Sequence, residues 1–388
     1  MIEVDTTSFF LIVLSAAAAA VVATALPRRF APPVVVLELL AGILIGPHVL
    51  GWANSDRFVE FFSNLGLGML FYFAGYEIDF ERIRGLPLRL GSRGWLLSIL
   101  IAYAIGGVLA LLGVVDSLVY TGSAMATTAI GTLIPILRDN DELNTRFGTY
   151  LLGAGAVGEF GPILLVTLFL STDHPLQEAG ILVLFVLLAL AIAVLSTRAV
   201  GRGWPALERT LEASNQLAVR VTVVLVFGLV GLAGHLHLDI LIGGFVAGMI
   251  TRVAIRGHEV AVFDSKLSAV GFGFLIPFFF LYSGMTFDLE ALGSAAAIAK
   301  LVMFFALFLV VRGAPALLLS RDVLGSGQRR VLALYCATEL PLVVAITTLA
   351  VEAGHMRAST AASLVGAAML STLLFPFAAL RLQERLAR

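Results

Sequence analysis

The sequence predicts an all-α polytopic membrane protein of about thirteen transmembrane helices, laid out as two inverted repeats with two crossed broken helices. Three observations carry that expectation. The 388 residues are 59% hydrophobic and 13% charged, and they fall into apolar blocks of about twenty residues, the length that crosses ~30 Å of hydrocarbon. Two short patterns recur in the two halves of the chain, seven spans apart. Three ionisable residues, Glu159, Arg312 and Glu339, lie at similar depth inside otherwise apolar spans.

The spans run at 9–26, 32–50, 61–76, 94–114, 117–137, 147–171, 180–197, 217–234, 238–251, 267–285, 295–319, 331–351 and 359–380. Glu3 and Asp5 precede the first, which therefore lacks the basic start of a cleavable signal and reads as a retained helix. Lys and Arg are retained on the cytoplasmic side of a membrane. With the N-terminus placed outside, of 25 Lys and Arg only Arg57 and Arg357 fall on the outer side, while Lys300 and Arg312 fall within a span. This bias predicts an N-out, C-in protein of the plasma (inner) membrane. Cys336 is the lone cysteine, which excludes an internal disulfide and a multi-thiolate metal site.

The internal symmetry is read from two matches. Phe71, Gly75, Asp79 and Glu81 around the end of the third span recur at one offset as Phe280, Gly284, Asp288 and Glu290 in the tenth. Gly42 and Gly46 of the second span recur as Gly244 and Gly248 of the ninth. An odd number of spans separates the copies, so they cross in opposite directions, the arrangement of inverted-repeat secondary transporters. The expected division is 1–172, first repeat; 173–216, connector helix and cytoplasmic loop; 217–388, second repeat. Spans five and twelve are then counterparts. The first contains Gly122, Ser123, Thr127, Thr128 and Gly131, and the second contains Thr338, Glu339 and Pro341. Both are expected to break and free backbone groups for an ion. The paired glycines are expected to serve close helix packing instead.

An ionisable side chain at the centre of a membrane helix costs about 2.5–3.5 kcal/mol on insertion scales, so it marks a cavity or an ion path. Glu159 sits among Gly153, Gly155, Gly158 and Gly161, which leave room for a partly hydrated ion. Desolvation disfavours its bare carboxylate, so the site holds a proton or a monovalent cation. Thr127 and Thr128 are further candidate ion ligands. Arg312 carries a charge that does not titrate and is expected to compensate Glu159 or Glu339; a permanent Arg312–Glu339 pair is the structural alternative. Glu38 is placed near the cytoplasmic end of span two, as a gate residue or as a carboxylate solvated in a vestibule. Lys300 is expected to snorkel to the outer interface. No His-Glu zinc spacing, nucleotide-binding glycine loop or nucleophile triad is present, which speaks against an enzyme, and no cofactor or nucleic-acid partner is expected.

Pro33–Pro47, Gly75-Tyr-Glu-Ile-Asp79 and Pro277-Phe-Phe-Phe-Leu-Tyr-Ser-Gly-Met285 resemble the monovalent cation/proton antiporter family, Kef-like branch, over nearly the whole chain. The resemblance implies a dimerisation domain, a mobile core with crossed broken helices, and alternating access by an elevator-like movement. It matches Glu159 to the ion-binding carboxylate of the sixth helix, usually an Asp preceded by Asp, Asn or Gln; here the pair is Gly158-Glu159. It matches Arg312 to a Lys or Arg of the eleventh helix and Glu339 to a Glu of the second broken helix. Kef-like proteins often carry a cytoplasmic nucleotide-binding domain, and with Arg388 close behind the last span none is expected here; a separate regulatory subunit stays open. The reading is a homodimeric, electroneutral exchanger of Na+ or K+ for H+, with a cation channel or a non-transporting sensor on the same scaffold as alternatives.

Overall fold

A computed structural model describes residues 5–25, 33–78, 80–165, 180–189, 191–192, 216–236, 238, 240–254 and 260–386. In hydrocarbon every backbone N–H and C=O needs an internal partner, so the apolar blocks fold as helices. The first half contains α1 (Thr6–Ala25), α2 (Val34–Ile45), α3 (Arg57–Tyr76), α4 (Leu86–Leu111), α5 (Leu118–Met125), α6 (Ile130–Asp139) and α7 (Arg146–Leu165). Helix α8 (Gly180–Ala189) follows; most of the expected connector at 173–216 lies outside the described residues. The second half contains α9 (Leu217–His235), α10 (Ile240–Ala254), α11 (Val260–Val270 continued through Gly271–Leu275 to Ile276–Met285) and α12 (Ala295–Leu319). It ends with α13 (Ser326–Cys336), α14 (Pro341–Glu352) and α15 (Ala358–Leu386). Eight helical stretches among the described residues are long and apolar enough to cross a membrane, and shorter apolar helices accompany them. The protein is a multi-pass integral membrane protein.

Two glycine crossings organise the packing. A Cβ at Gly42 would overlap the Leu281 carbonyl, and one at Gly284 the Leu39 carbonyl, so α2 lies directly on α11. Likewise a Cβ at Gly75 would overlap the Phe245 carbonyl and one at Gly248 the Tyr72 carbonyl, bringing α3 onto α10. Backbones come this close only where side chains are absent. The two crossings exchange when the halves of the chain are exchanged, which is what the repeated sequence patterns demand. Around this frame α1, α4 and α9 turn most of their apolar residues outward, whereas 83% of an apolar eighteen-residue segment within 326–352 is buried. The second broken span is therefore the centre of the molecule.

Helices α11 and α12 each contain a π-helical turn, Gly271–Leu275 and Leu309–Gly313. Each turn precedes a proline by two residues, Pro277 and Pro315, whose missing N–H removes a rung of the ladder. Arg312 projects from the second of these turns. One expectation changes. Glu38 is only 4% exposed, so it is packed into the helix bundle and not solvated in a vestibule. Lys300 Nζ donates to Thr360 Oγ1 at 3.1 Å, within electrostatic reach of Asp116 and Arg357.

At one end Arg357 clamps two loops. Its Nη2 lies 2.9 Å from Asp116 Oδ1, its Nε donates to Oδ2 at 2.9 Å, and Nη2 also donates to the Gly113 carbonyl. Hydrogen bonding and charge from Arg357 hold the Asp116 carboxyl below its ordinary range. A lowered folded-state value stabilises above the unfolded pKa and is lost as pH falls through the folded one. Asp116→Asn should therefore lower the melting temperature slightly near neutral pH and have no effect in strong acid, because an exposed pair contributes about 0–1 kcal/mol. A larger test bears on the glycine crossings. Gly248→Val should force α10 off α3 and destabilise by about 1–3 kcal/mol, the usual cost of overpacking, whereas Gly228→Ala, with open space at its Cβ, should leave thermal unfolding in detergent unchanged.

Candidate functional site

A helix that stops in mid-membrane leaves backbone groups that must find partners elsewhere. Helix α5 stops at Met125 and α6 begins at Ile130, with 126–129 non-helical; α13 stops at Cys336 and α14 begins at Pro341, with 337–340 non-helical. Both broken spans are where the sequence placed them. Pro341 suits a first helical position, where no N–H partner is required. The two breaks meet. The Ala129 N–H donates to the Thr338 carbonyl at 2.8 Å, and the Thr128 hydroxyl donates to the Cys336 carbonyl at 2.7 Å. From α7 the Gly158 carbonyl accepts the Thr128 N–H at 3.1 Å, and from α4 Trp95 Nε1 donates to the Ala126 carbonyl at 3.1 Å. Helix α15 holds the second break: Ser371 Oγ accepts the Glu339 N–H, and the Ser371 and Thr372 hydroxyls donate to the Glu339 carbonyl, all at 3.0 Å.

Arg312 is 3% exposed and is gripped from the first break and from helices α4 and α7. Its Nε and Nη2 donate to Thr128 Oγ1 at 2.9 and 2.6 Å, Nη1 to Ser98 Oγ at 3.2 Å, and Nη2 to the Ala154 carbonyl at 3.4 Å. The guanidinium occupies the space beside Gly158: a Cβ there would overlap Arg312 Nη2. The glycine that replaces the expected polar residue thus makes room for the arginine. This arrangement corrects the expected direct pairing, because no ion pair joins Arg312 to Glu159 or Glu339 among the described residues. Arg312 and Glu339 stay within electrostatic reach of each other.

Glu159 is 3% exposed, and its Oε2 is buried without a hydrogen-bond partner. Its carboxylate faces the Ile130 N–H, the first residue of α6, so a half-helix N-terminus supplies the nearest positive end. Glu339 is fully buried, with both carboxylate oxygens short of a well-formed hydrogen bond and the Thr127 hydroxyl beside them. A buried carboxylate with so few partners has to be neutralised by a proton or a cation. Thr127 lies at this place, its hydroxyl also directed to the Ala124 carbonyl at 3.2 Å. Thr128 differs from expectation: a hydroxyl has one proton and two lone pairs, and Cys336 and the two guanidinium nitrogens use all three. Glu38, on α2, has no hydrogen bond that ties it to this constellation among the described residues. Sequence reasoning missed Trp95, Ser98, Ser371 and Thr372, which are ordinary polar residues of other spans until the fold brings them to the breaks.

Two cavities flank the crossing. One, of about 400 Å³, is lined by Tyr76 and Glu77 at the end of α3, by Ile134 and Arg138 of α6, and by Leu152, Arg252 and Asp264. The other, of about 560 Å³, is lined by Glu60, Tyr282, Thr286, Asp288, Thr347 and Glu352 among others. Glu159 opens into neither. Among the described residues, no group of three or more His, Cys, Asp and Glu could hold a metal ion.

Crossed broken helices around buried carboxylates, with a cavity on either side, define a secondary transporter. Residues 16–380 match the family model for the sodium/hydrogen exchanger transmembrane domain, and the chain belongs to that family, which consists of transporters and not enzymes. It is 27% identical over 272 residues to the Na(+)/H(+)-K(+) antiporter GerN of Bacillus cereus, covering 69% of this chain and 68% of GerN. It is 25% identical to a Na(+)/H(+) antiporter of Enterococcus hirae over 67% of this chain and 68% of that protein. The putative Na(+)/H(+) antiporter YjbQ of Bacillus subtilis is 23% identical over 91% of this chain, which spans 59% of YjbQ. Among solved structures, the sodium proton antiporter MjNhaP1 of Methanocaldococcus jannaschii superposes with a TM-score of 0.62 at 15% identity, over 98% of this chain and 97% of that one. That likeness is one of fold. These matches do not single out the Kef-like branch.

The Arg312 arrangement is tested by a double-mutant cycle. Thr128→Val leaves Nε and Nη2 of a buried guanidinium without their acceptor, which should cost about 1–3 kcal/mol or more for a charged donor. Arg312→Gln in the same chain should recover part of that loss. Additive losses in detergent unfolding would place Arg312 away from Thr128.

Proposed function

We propose that the chain exchanges one monovalent cation, Na+ or K+, for one H+ at Glu159, by alternating access of a mobile core against a dimerisation domain. The observation that carries this reading is the Glu159 carboxylate itself, buried, short of partners, and facing the first N–H of α6. Either ion neutralises it, and the two compete for one place. Thr127 and carbonyls of the two breaks are the candidate ligands beside it, while Arg312 supplies a fixed positive charge near the crossing and Glu339 a second buried carboxyl within its electrostatic reach. The antiporters named above are described by the same exchange, and GerN by both Na+ and K+.

A single carboxylate filled by one cation or one proton crosses in the same charge state both ways, so we take the exchange to be electroneutral. The division at 1–172, 173–216 and 217–388 is part of this proposal, supported by the two glycine crossings that exchange between the halves. So are a homodimer, Glu38 as a gate, and an N-out, C-in orientation in the plasma membrane. The last is supported by the basic residues Arg82, Arg138 and Arg252 around the smaller cavity. A channel on this scaffold would conduct without a counter-ion.

The test uses purified protein in liposomes containing a pH dye, challenged in turn with Na+, K+, Li+ and Rb+. Na+ or K+ should collapse the proton gradient with saturable kinetics. Glu159→Gln, equal in volume but unable to titrate, should abolish this while the protein still folds; near-normal exchange by that variant would sink the mechanism. A valinomycin potential, applied with Na+ as the transported ion, should leave the rate unchanged, and a clear acceleration would contradict electroneutrality.

A further inference from the structure

The repeat that relates α3 to α11 also makes the two cavities counterparts. One is walled by the end of α3 and by α6, the other by the end of α11 and by α14, the second halves of the two broken spans. At matched positions the sequences read Gly75-Tyr76-Glu77 and Gly284-Met285-Thr286. A carboxylate stands in the smaller cavity where the larger has a hydroxyl.

Glu77 is weakly held for a group so placed. Its Oε1 lies 3.9 Å from Arg138 Nη2, with side chains 14% and 60% exposed respectively, and its Oε2 is buried with no hydrogen-bond partner. Other charges face it from Asp264 on α11, Arg252 on α10 and Glu159 on α7. Most of these are committed to the wall. The Tyr76 hydroxyl donates to Asp264, the Arg252 guanidinium stands 5.8 Å over the Tyr76 ring, and Arg82 donates to Asn144 and Thr149. An exposed, long contact such as Arg138 makes contributes little and is readily exchanged for another cation. Leu152, in the same wall, precedes Glu159 by seven residues on α7, about 10 Å along the axis.

We propose that Glu77 is a loading residue on the cytoplasmic side, holding the cation or proton on its way between the smaller cavity and Glu159, with a hydroxyl, Thr286, at the matched position of the outer cavity. The proposal rests on the reading of Glu159 as the exchange site and of the arginine-bearing end as cytoplasmic. A carboxylate in a walled cleft concentrates cations locally, so its effect falls on the apparent affinity from one face and not on the maximal rate.

The experiment uses the full chain in proteoliposomes of uniform orientation, with KM and maximal rate for Na+ measured from each face. Glu77→Gln should raise the cytoplasmic KM about tenfold, the low end of what a charge-lined cleft supplies, and leave the outer KM and the maximal rate unchanged. Glu77→Asp should restore the cytoplasmic KM. A purely structural capping role would lower stability and maximal rate without a sided effect, and so overturns the proposal; so does a KM that changes equally on both faces or on neither. Thr286→Glu gives an independent check if the Gln variant does not fold: it should lower the outer KM alone, and no change there counts against the proposal. Exchange that survives Glu159→Gln would instead overturn the underlying site, whatever Glu77 does.

Discussion

A backbone interrupted inside a membrane has no water to complete its hydrogen bonds, and the whole centre of this protein is organised by that requirement. The two interrupted spans satisfy each other, Ala129 to Thr338 and Thr128 to Cys336, and draw in α4, α7 and α15 for the groups that remain. Once this crossing exists, two half-helix N-termini are fixed at mid-membrane. A carboxylate can then be buried beside one of them, because the helix end offsets part of the cost of its charge.

Arg312 follows from the same constraint. A guanidinium has five N–H groups to satisfy, and Thr128, Ser98 and the Ala154 carbonyl accept four hydrogen bonds from them where Gly158 leaves a gap. The guanidinium therefore clamps the crossing, and among the described residues it makes no ion pair with Glu159. Glu339, close to both Thr127 and Arg312, is the second charge whose balance depends on this geometry.

Much of this was legible in the sequence for identifiable reasons. Length and apolarity give helices because hydrocarbon permits little else, and Gly122, the hydroxyl-rich run to Thr132 and Pro341 mark where those helices cannot continue. Gly42, Gly75, Gly248 and Gly284 were visible as a repeat, and their crossings are its direct result. Glu159 announced itself as a charge with no neighbour of opposite sign. The partners of Arg312 were not legible: nothing in the spacing of Ser98 or Thr128 connects them to a residue some two hundred positions away. The π-helical turns have a sequence signal in Pro277 and Pro315, two residues beyond each turn. Glu77 lies between Gly75 and Asp79 of the repeat, and only the cavity around it distinguishes it from its counterpart Thr286.

The central claim is that cation and proton occupy one carboxylate by turns. Proton release on cation binding measures this directly, without a membrane or a gradient. Purified protein in weakly buffered detergent, titrated with Na+ or K+ at a pH where Glu159 is protonated, should release one proton for each cation bound. Saturable cation binding with no proton released would contradict the account.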